Sequence, residues 1–157
     1  MFGFLNKNKQ LELYAPASGE LKSITEVDDA VFSEKLLGDG YAVVPNDREV
    51  TSPVNGIIST VFPTKHAFGI TTPQGDDVLV HIGIDTVELK GEPFETFVQV
   101  GDKVTSKTVL AKVDLLKLAE ANKDNSVMVI FTNGRDIGDA RIGSRIQVLK
   151  GDLIGTL

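Results

Sequence analysis

Apolar and polar residues alternate with period two along much of this chain, in short segments bounded by Gly, Pro, Asn or Asp. LELY (11–14), GELKSI (19–24), YAVV (41–44), GIISTVF (56–62) and HAFGITT (66–72) have this form. DVLVHIGI (77–84), KTVLAKV (107–113), SVMVIF (126–131) and SRIQVL (144–149) continue it. The spacing predicts an all-β fold, an antiparallel sandwich or barrel-like structure. Helical patterning is confined to AVFSEKLL before Gly38 and to DLLKLAEAN, where Asp114 caps a turn carrying Leu115, Leu118 and Ala119 on one face. One or two very short helices are therefore expected.

The pattern also echoes itself. YAPASGELKSI (14–24) and TSPVNGIISTV (51–61) share a Pro-x-x-Gly frame followed by an alternating strand, with Pro16 matching Pro53 and Gly19 matching Gly56. This predicts a duplicated β motif. VGDKVTSKTVLAKVD and KGDLIGTL each place Gly-Asp after an apolar segment, where that pair favours a tight turn back into a sheet. At 157 residues the chain is most simply one domain, residues 11–157, preceded by a flexible tail, residues 1–10.

Composition narrows the chemistry. The chain has no cysteine, so disulfides, thiolate nucleophiles and Cys-type zinc sites are excluded, and histidine becomes a leading candidate nucleophile. A formal charge of −6 argues against a nucleic-acid grip and favours a basic protein partner. No apolar run approaches the roughly 18–20 residues that cross a bilayer, and a signal-peptide core is missing, so a cytoplasmic protein is expected. MFGFLNKNK combines Phe2, Phe4 and Leu5 with Lys7 and Lys9, a pattern open to a weak interfacial anchor or to a disordered terminus. The Met1 start favours a stand-alone subunit over a piece of a fused protein.

The two histidines, His66 and His81, carry the functional question. Strand parity in VLVHIGID sets His81, Gly83 and Asp85 on one face and Val80, Ile82 and Ile84 on the other. Gly83 would then leave room beside His81 for a bulky group such as a phosphate. Simple alternation sets His66 beside Phe68 and Ile70, on a core-like face, unless a bulge near Pro63 or Gly69 turns it. If the imidazoles meet, three chemistries compete. A zinc site would use His66, His81 and Asp85 or a partner's carboxylate, but HExxH and H-x-H are absent. A hydrolytic triad lacks its G-x-S-x-G turn. Phosphoryl transfer through one imidazole, with the second donating to the phosphoryl oxygens, needs only what is present. No Walker-type loop occurs, so the donor would be another protein rather than ATP, and no cofactor is called for.

LLGDGYAVVP, TSPVNGIISTVFPTKHAFGI and VHIGIDTVELKG resemble the glucose-type enzyme IIA of the bacterial phosphoenolpyruvate-dependent sugar phosphotransferase system, from about Tyr14 over nearly the whole chain. The resemblance implies an antiparallel β-sandwich with both histidines in a shallow depression. It implies that His81 carries the phosphoryl group on Nε2 and that His66 stabilises it. Thr64 would orient the second ring, and the Gly83 carbonyl would hold the Nδ1 hydrogen of His81. The implied partners are the histidine-containing phosphocarrier protein, as donor, and the cysteine of a IIB domain of a sugar permease, as acceptor. Asp29 and Asp85 would steer those basic surfaces, and Val31 and Phe32 would supply apolar contact. A regulatory module, whose phosphorylation state controls docking to permeases or kinases, fits the same residues. VGDKVTSKTVLAKVD also resembles the strand frame of biotinyl and lipoyl domains, without their lysine hairpin.

Overall fold

The computed structural model describes residues 10–138 and 146–157. The expected tail lies outside these residues except for Gln10, as do Ser144 and Arg145 of the expected strand SRIQVL. Among the described residues, thirteen strands run β1 (Glu12–Tyr14), β2 (Gly19–Ser23), β3 (Asp39–Pro45), β4 (Glu49–Thr51), β5 (Gly56–Val61), β6 (Ala67–Thr71) and β7 (Asp77–Ile82). They continue with β8 (Phe94–Thr96), β9 (Lys103–Val104), β10 (Val109–Val113), β11 (Val127–Phe131), β12 (Ile146–Val148) and β13 (Leu153–Thr156). Helices α1 (Ala30–Ser33) and α2 (Leu115–Glu120) are short, as the pattern predicts. Asp114 caps α2 by accepting from the Lys117 amide at 3.1 Å, and Leu118 is buried beneath it. Ala119, expected on that face, is exposed.

Every strand pair among the described residues is antiparallel. The largest sheet has the order β12-β2-β3-β11-β7-β6-β5-β9; smaller sheets are β4-β10-β8 and β1-β13. Alternation along the large sheet divides its residues between two apolar clusters. Leu21, Tyr41, Val43, Phe68, Ile70, Val80, Ile82, Val129 and Phe131 belong to the main core with the buried residues of the smaller sheets. Ala42, Met128 and Ile130 point to the other face, where Ile24, Val27 and Phe32 from the segment around α1 cover them. Fully burying a side chain such as Phe68 contributes about 1.5–3 kcal/mol, so the main core fixes the register. The second face is left to carry a site.

The duplicated motif is realised as a reciprocal pairing. The Tyr14 amide donates to the Pro53 carbonyl and the Thr51 amide to the Pro16 carbonyl, both at 2.8 Å. Tyr14 and Thr51 are matched positions, as are Pro16 and Pro53, so the two copies face each other about a local two-fold axis. The Gly-Asp echoes are also equivalent turns. Gly101 and Gly151 have φ of +96° and +86°. Asp102 and Asp152 accept from the amides of Gln99 and Leu149 at 2.9 and 2.8 Å.

Tyr41, wholly buried in β3, donates its hydroxyl to the Tyr14 carbonyl at 2.8 Å and thereby ties the large sheet to the motif junction. Replacing it by Phe removes this donor from the carbonyl. Tyr41→Phe is expected to lower stability by about 1–2 kcal/mol, seen as a lower urea midpoint at unchanged slope.

Candidate active site

His81 is the penultimate residue of β7, flanked across the strands by Ala67 on β6 and Met128 on β11. The alternation predicted through Asp85 stops at Ile82. Gly83 has φ +77° and Asp85 φ +59°, so the chain leaves the sheet there. Ile84 joins the second cluster, while Val80 and Ile82 lie in the main core. The shared face predicted for His81, Gly83 and Asp85 is thus corrected: a left-handed glycine resets the parity. The space predicted beside His81 at Gly83 is corrected too. A Cβ there would come within 2.4 Å of Thr86 Cγ2 and 2.8 Å of the Asp124 carbonyl.

His66 departs from its predicted face as well. A turn over Pro63–His66, closed by the Lys65 amide on the Phe62 carbonyl and by φ +63° at Lys65, precedes β6. The His66 ring lies edge to face with His81, centroids 4.9 Å apart at 78°, instead of beside Phe68 and Ile70. The bulge envisaged near Gly69 falls on the neighbouring strand, where the β5 register shifts between Ile58 and Thr60 opposite Ile70 and Gly69. Ala67, the small neighbour of His81, leaves the space that the second ring occupies.

Hydrogen bonds orient both rings. His81 Nδ1 lies 2.8 Å from the Gly83 carbonyl oxygen. That oxygen only accepts, so Nδ1 carries the hydrogen and Nε2 keeps its lone pair. His66 Nδ1 lies 2.7 Å from Thr64 Oγ1, a hydroxyl able to donate or accept. Phe32 packs on His81 with centroids 5.1 Å apart, and Phe62 packs edge-on to His66 at 5.5 Å. Burial, and secondarily the neighbouring His66, push the His81 imidazole down to about 4, against smaller upward pulls from the Gly83 carbonyl and the Asp29 carboxylate. Burial also lowers His66. Near neutral pH both rings are uncharged.

The rim residues fall in distinct places. Asp29 caps α1 by accepting from the Val31 amide at 2.9 Å, and its charge reaches His81. Val31 is 43% exposed, but Phe32 is only 7% exposed, its ring committed to His81 and the second cluster. Asp85 is exposed at the head of a 3₁₀ turn, Thr86–Leu89. Among the described residues, no group of three or more His, Cys, Asp or Glu side chains is placed to hold a metal ion. A depression of about 500 Å³, bounded by Asp47, Arg48, Glu92 and Lys112, shares no residue with the histidine pair. A groove of about 260 Å³ is lined by Phe62, Gly69 and Leu79, and of these Phe62 packs edge-on to His66. Sequence reasoning missed Phe62, Thr86 and Asp124; the last carried a legible signal, an Asp-x-Ser turn.

The chemistry open to two neutral, oriented imidazoles on an antiparallel β framework is group transfer through a ring nitrogen. Residues 11–137 match the family model for the phosphoenolpyruvate-dependent sugar phosphotransferase system, EIIA 1. The chain is 41% identical over 152 residues to the glucose-specific EIIA component of Mycoplasma capricolum, covering 96% of this chain and 97% of that one. The solved structure of glucose permease IIA from Mycoplasma capricolum superposes with a TM-score of 0.84 at 40% identity, covering 95% of this chain and 96% of that one. A glucose-specific EIICBA component of Streptococcus pneumoniae is 45% identical over 131 residues, 83% of this chain but only 18% of that protein. The chain thus spans about a fifth of such multidomain relatives, in which the EIIA part is joined to IIC and IIB components. This protein belongs to the EIIA 1 family of the phosphoenolpyruvate-dependent sugar phosphotransferase system, and it is a phosphotransferase component of that relay. Among the described residues, no helix is long and apolar enough to cross a membrane.

The depressed His81 value also sets a stability trend. Folded His81 titrates near 4, against roughly 6.5 when unfolded, so below about pH 6.5 the unfolded chain binds the proton preferentially. The His81 contribution to stability is complete above that pH and declines as pH falls towards 4. Replacing His81 by Gln is expected to flatten the melting temperature across this window; an unchanged slope in the variant would contradict the assignment.

Proposed function

We propose that His81 accepts a phosphoryl group on Nε2 from the histidine-containing phosphocarrier protein and passes it to the cysteine of a IIB domain, in the cytoplasm. The observation that carries this is the 2.8 Å bond from Nδ1 to the Gly83 carbonyl, which leaves Nε2 as the neutral nucleophile. In the first transfer the Nε2 lone pair attacks phosphorus in line. A new N–P bond forms as the donor's P–N bond breaks, and the donor imidazole departs with that electron pair. Positive charge develops on the His81 ring as it bonds phosphorus. The Gly83 carbonyl dipole and the Asp29 carboxylate lie where they offset that charge. In the second transfer a thiolate attacks phosphorus and His81 Nε2 recovers its lone pair.

His66 is the electrostatic partner. With Thr64 donating to Nδ1, its Nε2–H is free to donate to a phosphoryl oxygen. Transfer then rests on positioning and charge stabilisation. Asp29 and Asp85 steer basic partners, and exposed Val31 supplies apolar contact beside the buried Phe32. Glucose is the sugar favoured by the names of the relatives that the chain matches over nearly its full length.

The test is intact-protein mass after incubation with phosphoenolpyruvate, enzyme I and the histidine phosphocarrier. The wild type is expected to gain one acid-labile phosphate and His81→Ala none. His66→Gln is expected to gain the phosphate but to pass it to a IIB domain about 100-fold more slowly, as for loss of one preorganised donor. Full labelling of His81→Ala would overturn the assignment.

A further inference from the structure

We propose that Thr86 is a positioning residue for the relay: its hydroxyl, together with the Asp124–Ser126 turn, locks the Gly83 carbonyl in the orientation that selects the His81 tautomer. This rests on His81 being the phosphoryl acceptor. Of the peptide units that lead from His81 to the carbonyl that holds it, the last two are each pinned at both ends. In the unit joining Ile82 to Gly83, the Ile82 carbonyl accepts from Thr86 Oγ1 at 2.5 Å and the Gly83 amide donates to the Ser126 carbonyl at 2.8 Å. In the unit joining Gly83 to Ile84, the carbonyl accepts from His81 Nδ1 and the Ile84 amide donates to the Asp124 carbonyl at 3.1 Å. The turn supplying both outer carbonyls is held by Asp124, whose carboxylate accepts from the Ser126 amide at 2.7 Å.

Thr86 is wholly buried, so its hydroxyl has no solvent to replace the Ile82 carbonyl, and its methyl fills the space a Gly83 side chain would need. Left-handed backbone at Gly83 is soft, because glycine enters many other conformations at small cost. A carbonyl on such a residue holds a fixed direction only if its neighbours are clamped. Without the Thr86 clamp only the two amide bonds to the Asp124–Ser126 turn hold these peptides, the Gly83 carbonyl no longer keeps one direction towards Nδ1 of His81, and the two neutral tautomers become mixed. In the wrong tautomer Nε2 carries hydrogen and cannot attack phosphorus. The Thr86 hydroxyl donates to the Ile82 carbonyl and not to an imidazole nitrogen, so it acts through the backbone that carries the Gly83 carbonyl.

The test uses the ¹⁵N-labelled full chain at pH 7.5, as wild type, Thr86→Val and Thr86→Ser, read by long-range ¹H–¹⁵N correlation of the His81 ring. Initial labelling rates are measured with phosphoenolpyruvate, enzyme I and the phosphocarrier. Wild type and Thr86→Ser are expected to show one tautomer, with hydrogen on Nδ1, and similar rates. Thr86→Val is expected to show mixed tautomers and labelling slowed at least tenfold, with the dispersed amide spectrum of a folded protein. A single Nδ1–H tautomer and a wild-type rate in folded Thr86→Val would overturn the proposal. If Thr86→Val does not fold, Asp124→Ala against Asp124→Asn applies the same criterion through the turn: mixed tautomers only in the alanine variant support it, and a single tautomer in both overturns it. Absence of labelling in the wild type would refute His81 as acceptor, while the tautomer readout still decides the role of Thr86.

Discussion

The hydrogen bond from His81 Nδ1 to the Gly83 carbonyl is the constraint on which the site depends, because an imidazole attacks only through a nitrogen that lacks its hydrogen. A carbonyl acceptor two residues along the chain settles which nitrogen that is. It can do so only because the strand ends at Ile82 and the backbone turns back through a left-handed glycine. Had the strand run on, the Gly83 carbonyl would have been spent on a neighbouring strand. The end of β7 is therefore part of the chemistry.

Electrostatics follow from the same placement. Two imidazoles with centroids 4.9 Å apart, packed against Phe32 and Phe62, lose hydration and oppose each other's charge. Both effects favour the neutral rings, and neutrality keeps the His81 lone pair available. The cost falls on acid stability. Asp29, which caps α1, offsets part of it and lies on the side of a site that takes up positive charge as a ring bonds phosphorus. One carboxylate thus serves a local fold and a distant ring.

The scaffold meets these demands by giving the large sheet two unequal faces. One belongs to the main core, where close packing holds the register of β3, β11, β7 and β6. The other has only the thin cover of the segment around α1, with small residues such as Ala42, Ala67 and Gly69 in its strands. The reciprocal bonds between the Pro16 and Pro53 segments join the duplicated motifs, so the layers close without a long helix.

The antiparallel β class, the two short helices, the duplicated Pro-x-x-Gly frame and the Gly-Asp turns were legible in the chain, because period-two alternation and turn residues act locally. The importance of the two histidines was legible too, since a chain without cysteine offers few nucleophiles and the motifs around them resemble a known family. Their meeting was not. Alternation placed His66 on the core face, and only the turn at Pro63–His66 with left-handed Lys65 brings its ring onto His81. Parity likewise failed past Ile82, and the room imagined at Gly83 is filled by Thr86 and the Asp124 carbonyl. The sequence by itself determined which residues form strands and which few side chains carry chemistry, through short-range sterics and hydrophobic patterning. The tertiary structure alone decided which rings touch and which carbonyl faces Nδ1, because those depend on contacts between segments as distant as Gly83 and Ser126, about which local periodicity carries no information.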